Sequence, residues 1–136
     1  MTATVLALIA IQTLLTYSPG LSAFEVPKLS LEEKVAKSTF VFIGTVKEAD
    51  YQDLRRTRSE SVAQVRIDTL LKGTATGDVE VIYSNGIAES APDCCVLGGK
   101  YLFFVAANSQ GLLQSVNGPY GIYLIDPPLS QASSRN

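Results

Sequence analysis

Two adjacent thiols are the residues best equipped for chemistry in this chain. Cys94 and Cys95, in the stretch "PDCCVLGGKYLFFV", are its only cysteines. A thiolate is a nucleophile, a soft metal ligand and one half of a redox couple. The rest of the composition narrows these roles. Zinc sites take three or four thiolate, imidazole or carboxylate ligands, and the chain has no histidine, so no metal site is expected. The same absence removes the usual general base near neutral pH and every Ser/His/Asp or Cys/His arrangement. The carboxylates Glu32, Glu33, Asp50, Asp53, Glu80, Glu89 and Asp93 are scattered and read as solvated strand and loop residues. No enzymatic activity and no cofactor are expected from this inventory.

The cysteine pair has three open readings. A bond between neighbours would span Cα atoms about 3.8 Å apart across a trans peptide, where disulfides ordinarily adopt about 4.4–6.8 Å. Relief needs a distorted or cis peptide, costing about 2.5–4 kcal/mol. Closing so short a loop returns only about 1 kcal/mol. Both thiols therefore stay reduced, at least one buried as a small hydrophobe; or one bridges to a second chain in a covalent homodimer; or a vicinal disulfide forms as an easily reduced switch.

The single basic cluster is "RRTR", with Arg55, Arg56 and Arg58. It reads either as a solvated loop or as a surface for an anionic partner. Nucleic acid is not expected, because single-strand binding needs stacking aromatics and only Tyr51 lies near. A formal charge of −2 gives no whole-molecule attraction to nucleic acid or acidic lipid.

The elements that must position these residues are short and mostly extended. Ser30 and Glu33 have capping-box spacing ahead of a helix of about two turns, with Leu31 and Val35 on one side and Lys34 and Lys37 toward its end, where cations suit the dipole. Thr39–Ala49 is β-rich with Gly44 inside it, a mark of a bulge or sharp bend. "SVAQVRIDTLLKG" alternates, placing Ala63, Val65, Ile67 and Thr69 opposite a more polar face with Val62, Gln64, Arg66 and Asp68. "GDVEVIYS" alternates again, "KYLFFVAA" reads as a central strand, and "LLQSV" and "YGIYLI" follow turn signals. Five or six strands with regular turns and one short helix favour a small barrel over a sandwich, since Gly44 lets a strand bend sharply.

The chain opens with an apolar run from Val5 to Leu15, then Ser18-Pro19-Gly20 and the small residues Ser22-Ala23. This is the layout of a secretory signal cleaved after Ala23. The run is shorter than the ~20 residues of a membrane span, so no stable span is expected. The expected organisation is a signal at 1–23, one domain at 24–126 and a loose tail at 127–136, with the product secreted or periplasmic.

"LSLEEKVAKSTFVFIGTVKEA", "AQVRIDTLLKG", "DVEVIYS", a cysteine loop and "GGKYLFFV", in that order, resemble the netrin-like domain. That group includes the tissue inhibitors of metalloproteinases and many small bacterial secreted proteins. The resemblance covers about Leu29–Val105 and implies a mainly β fold, a five-stranded OB-type Greek-key barrel with one short N-terminal helix. In the inhibitors the mature chain begins Cys-x-Cys; the first cysteine grips the protease's zinc and is bridged to the loop matched here by Cys94 and Cys95. This chain would instead begin at Phe24, with no cysteine before Cys94. The cysteine pair then occupies a framework position without its mate. The resemblance implies the fold more than the inhibitory activity. The expected function is a non-enzymatic module binding a protein or another surface ligand, with covalent or non-covalent self-association open. Metalloprotease inhibition at a Phe24 edge and thiol–redox exchange at Cys94 and Cys95 are the alternatives.

Overall fold

The computed structural model describes residues 25–128. The expected signal, Phe24 and the tail beyond Pro128 lie outside them. Chain order is a helix α1 (Leu31–Lys37), then strands β1 (Phe40–Glu48), β2 (Ser61–Lys72), β3 (Asp78–Ser84), β4 (Lys100–Ala107), β5 (Leu113–Ser115) and β6 (Ile122–Asp126). Short 3₁₀ turns at Ala88–Ser90 and Gly118–Tyr120 fall between strands. No helix among the described residues is long and apolar enough to cross a membrane.

The strands pair in the order β1-β2-β3-β5-β4, and β1 also pairs with β4, which closes a five-stranded barrel. All these ladders are antiparallel except β3–β5. The expected OB-type architecture is the one present. β6 continues along the β4 edge that β5 has left, from Phe103↔Ile122 to Lys100↔Asp126.

The barrel closes because alternate residues of β1, β2, β3 and β4 are apolar and turn inward. Phe42, Val65, Val81, Phe103 and Val105 are all fully buried. Phe42 and Phe103 stack with ring centroids 4.7 Å apart. Each such side chain contributes roughly 1.5–3 kcal/mol of burial. Gly44 sits where β1 bends across β2. A Cβ there would lie 2.7 Å from Val65 Cγ1 and 2.8 Å from the Arg66 carbonyl oxygen. The register shifts at Ile43/Gly44, so the bend expected from the sequence is realised as close backbone approach.

β2 departs from simple alternation. Ala63 and Val65 face the barrel core as expected, but Val62 on the opposite side is also fully buried. It joins Ile82 and Leu112 in a small second cluster, with Tyr51 packed against it. The loop before β2 covers that face, held by the Tyr51 N–H donating to the Val62 carbonyl at 2.6 Å. Thr69, expected inside, is exposed.

The helix departs more. Its capping box forms as read: Ser30 Oγ accepts from the Glu33 N–H, and the Glu33 carboxylate accepts from the Ser30 N–H. Yet Leu31 stays 61% exposed while Lys34 is buried to 4%. The Lys34 stem covers apolar surface, and its ammonium donates to the Tyr123 hydroxyl beside the Tyr123 ring. The last turn is held from β2: Lys72 Nζ donates to the Val35 and Ser38 carbonyls at 2.6 and 2.7 Å. The "LLKG" ending of β2 thereby caps the C-terminus of α1. Gly73 follows at φ +97°, where a Cβ would meet Phe40 Cδ1 at 2.5 Å.

Candidate functional site

The cysteine loop lies between the 3₁₀ turn at Ala88–Ser90 and β4. Cys94 and Cys95 are joined to each other across a cis peptide, and neither is free. Of the three states left open by the sequence, the structure adopts the vicinal bond. Cys95 is 5% exposed, and both cysteines pack against the barrel core. The loop is also pinned by the Val96 N–H, which donates to the Tyr101 hydroxyl at 3.0 Å. The Gly98 N–H donates to the Val46 carbonyl at 2.8 Å, and the Val46 N–H to the Gly99 carbonyl at 3.0 Å. Thiol–disulfide exchange needs an accessible sulfur, and this packing restricts access to Cys95.

The arginine loop satisfies itself. Asp53 accepts from the Arg55 backbone N–H and from two guanidinium nitrogens at 2.6–2.9 Å. Arg55 also reaches Glu80 at 3.3 Å. These bonds hold the Asp53 carboxyl down at about 2, chiefly through the Arg55 side chain. Arg56 donates to Asp50, to Gln52 and to the Glu60 carbonyl. Arg58 is exposed and makes no ion pair among the described residues. Arg55 and Arg56 thus spend their charge on loop closure and not on a shared anion site.

Among the described residues two concave surfaces stand out. The first is an apolar groove of about 270 Å³ lined by Leu31, Val35, Val41, Leu71, Lys72, Leu102 and Phe104. Its floor is the outer face of β1 and β4, where Val41 pairs with Phe104. "KYLFFVAA" is apolar on both faces: Tyr101, Phe103 and Val105 fill the core, while Leu102 and Phe104 turn outward. α1 forms one bank and Leu71, 58% exposed, the other. The continuous apolar run was the signal that could have revealed this surface, since it gives β4 no polar face.

The second is a polar cleft of about 280 Å³ lined by Glu60, Ile82–Asn85, Ser90, Ala91, Pro92, Gln114, Ser115 and Gly118. It opens where β3 and β5 part. Near it, Asn117 is 5% exposed and clasps the chain ahead of α1. Its Oδ1 accepts from the Leu29 N–H and its Nδ2 donates to the Pro27 carbonyl, both at 2.9 Å. Lys28 adds a cation–π contact to Tyr120 at 5.5 Å. Asn117-Gly118-Pro119, read from sequence as a break, therefore also anchors the N-terminal approach to the barrel. Among the described residues no group of three or more His, Cys, Asp or Glu is placed to hold a metal.

No known protein family and no curated protein matches the chain.

Proposed function

We propose that this chain is a non-enzymatic, extracytoplasmic binding module of the netrin-like kind that docks another protein through the groove beside α1. The observation that carries this reading is the open apolar surface formed by Leu31, Val35 and Leu71 over a floor of Val41, Leu102 and Phe104. Exposed contiguous apolar surface marks interaction sites, and a helix–strand groove accepts apolar anchors from a partner. The partner is a protein presenting apolar side chains. The secretory layout of the first 23 residues supports the address, and the netrin-like assignment rests on the sequence resemblance over Leu29–Val105.

The test is saturable binding of the processed protein to the envelope and secreted fractions of its host. The double variant Leu31→Asp/Leu71→Asp, which charges both banks, is expected to weaken that binding at least tenfold. Binding that survives the double change unaltered would sink the reading. Intact mass measurement of the secreted protein checks cleavage after Ala23.

One observation favours a second reading, metalloprotease inhibition. Asn117 and Tyr120 fix residues 27–29, a non-covalent counterpart of the anchoring that disulfides give the inhibitors' first residues. On that reading the free amine at Phe24 carries inhibition. Nanomolar inhibition of a zinc protease, lost on N-terminal acetylation, would favour it. Thiol–redox exchange draws less support, because Cys95 is buried.

A further inference from the structure

The barrel has one weak seam. β3 and β5 pair only at Val81↔Leu113 and Ile82↔Gln114, while β1 and β4 pair at every residue from Phe40↔Val105 to Thr45↔Lys100. Past Ile82 the strands separate. β3 continues to Ser84 with β2 on its far side and, among the described residues, with no strand paired on its β5 side. The cleft occupies that gap, and its lining runs along the backbone of residues 82–85. A strand edge without a partner presents N–H and C=O groups at the spacing of an extended chain.

The cleft also carries a sign. Among the described residues Glu60 is its only charged lining residue. One Glu60 carboxylate oxygen accepts from the Thr57 N–H at 2.7 Å, and Glu60 makes no ion pair among the described residues. Gln114, Asn85 and Ser84 supply amide and hydroxyl groups, and Ala91 and Pro92 form an apolar wall. At about 280 Å³ the space lies just below the ~300–1,000 Å³ of small-molecule sites. It has room for a short stretch of polypeptide.

We propose that this seam is a strand-addition site for an extended polypeptide segment carrying a basic side chain. The segment's backbone pairs with the free edge of β3 beyond Ile82, and its cation meets Glu60. Main-chain pairing supplies the affinity and the side-chain contact the preference, the usual division in strand addition. The site shares no lining residue with the groove beside α1, so it stands or falls separately from the protein-docking reading.

The experiment is an NMR titration of the ¹⁵N-labelled protein with blocked tripeptides. Acetyl-Val-Lys-Val-amide is expected to shift the amides of Tyr83, Ser84, Asn85 and Ser115. It should bind about threefold to fivefold tighter than acetyl-Val-Glu-Val-amide, the range of one exposed ion pair. Glu60→Gln should erase that preference while leaving the spectrum otherwise folded. N-methylation of the central peptide nitrogen should abolish the shifts. The proposal is overturned by no shift at these residues up to about 10 mM peptide, a concentration at which even millimolar affinity would register. It is equally overturned by equal binding of the Lys and Glu peptides, by shifts indifferent to N-methylation, or by shifts confined to Leu31, Val35 and Leu71.

Discussion

The groove beside α1 and the cleft at the barrel seam have nearly the same volume, about 270 and 280 Å³, and opposite origins. Beneath the groove the backbone ladder is complete. β1 pairs with β4, and β4 with β6, so what lies open is side-chain surface. At the cleft the side chains are mostly small and polar, and what lies open is the backbone edge of β3. Binding at the groove would rest on apolar burial, which is non-directional. Binding at the cleft would rest on directed hydrogen bonds, so it would demand an extended backbone. A single barrel therefore offers a surface that selects for apolarity and an edge that selects for conformation.

The difference has a stability signature. The groove's floor is also the barrel's outer wall, so removing it damages the fold. Phe104 is 3% exposed, and Phe104→Ala is expected to cost about 3–5 kcal/mol in chemical denaturation. Ser84→Ala, in the cleft lining, is expected to stay within about 0.5 kcal/mol of the parent. A Ser84→Ala loss comparable to that of Phe104→Ala would break the distinction, because the cleft would then be a packed part of the barrel.

The bank of the groove is more delicate than its floor. Lys72 alone ties the last carbonyls of α1 to β2. Lys72→Met keeps much of the stem and removes the donors, at an expected cost of about 1.5–3 kcal/mol. Amide exchange should quicken in α1 and remain slow in β3. Equal acceleration in both would mean that the helix and the seam open together.

A neighbouring anchor separates the cleft from the chain entry. Asn117→Ala removes the hydrogen bonds to the Pro27 carbonyl and the Leu29 N–H, two part-buried groups, at a combined cost of about 1–3 kcal/mol. Glu25–Leu29 should lose protection while the peptide response at Tyr83–Asn85 persists. If that response vanishes, the cleft depends on the N-terminal clasp and is not a feature of the seam alone.

The barrel was legible because its code is local. The shared core face of Val79, Val81 and Tyr83 in "GDVEVIYS", the capping pair Ser30 and Glu33 and the bend at Gly44 each act within a few residues, and each is present. Of the two surfaces only the missing polar face of β4 left a trace in the sequence, because each surface depends on what a distant element fails to do. Leu31 and Val35 have the spacing of one helical side, which does not say how far that side is covered. They remain partly open because Lys34 takes the inward position against Tyr123, a partner 89 residues away. β3 looked like any half-buried strand, and nothing in it announces that β5 departs after Gln114. Of the two readings of the arginine cluster, the loop one fits the contacts of Arg55 and Arg56: their charge is answered by Asp50, Asp53 and Glu80, the last from another strand.

Acid separates the two regions with the smallest effect. Beside the groove, Glu33 is held below its ordinary 4.5, chiefly by the Ser30 N–H. Near the cleft, Asp53 is held at about 2 against an ordinary 3.8 by the Arg55 side chain. Both folded values are depressed, so each contribution is complete above the unfolded value and is lost as pH falls through the folded one. The loss at Glu33 begins just below pH 4.5 and the loss at Asp53 below pH 3.8, ending near 2. In an NMR titration from pH 6 to about 2, the Ser30 amide, which donates to the Glu33 carboxylate, should therefore shift first. The Arg55 amide, which donates to Asp53, should follow at lower pH. Glu33 is exposed and the partners of Asp53 lie within its own loop and on Arg55, so the change should be local, with β1 and β4 amides unmoved. Simultaneous change at the Ser30 and Arg55 amides would show that the helix bank and the arginine loop respond as one unit, and the two regions would have to be treated as linked.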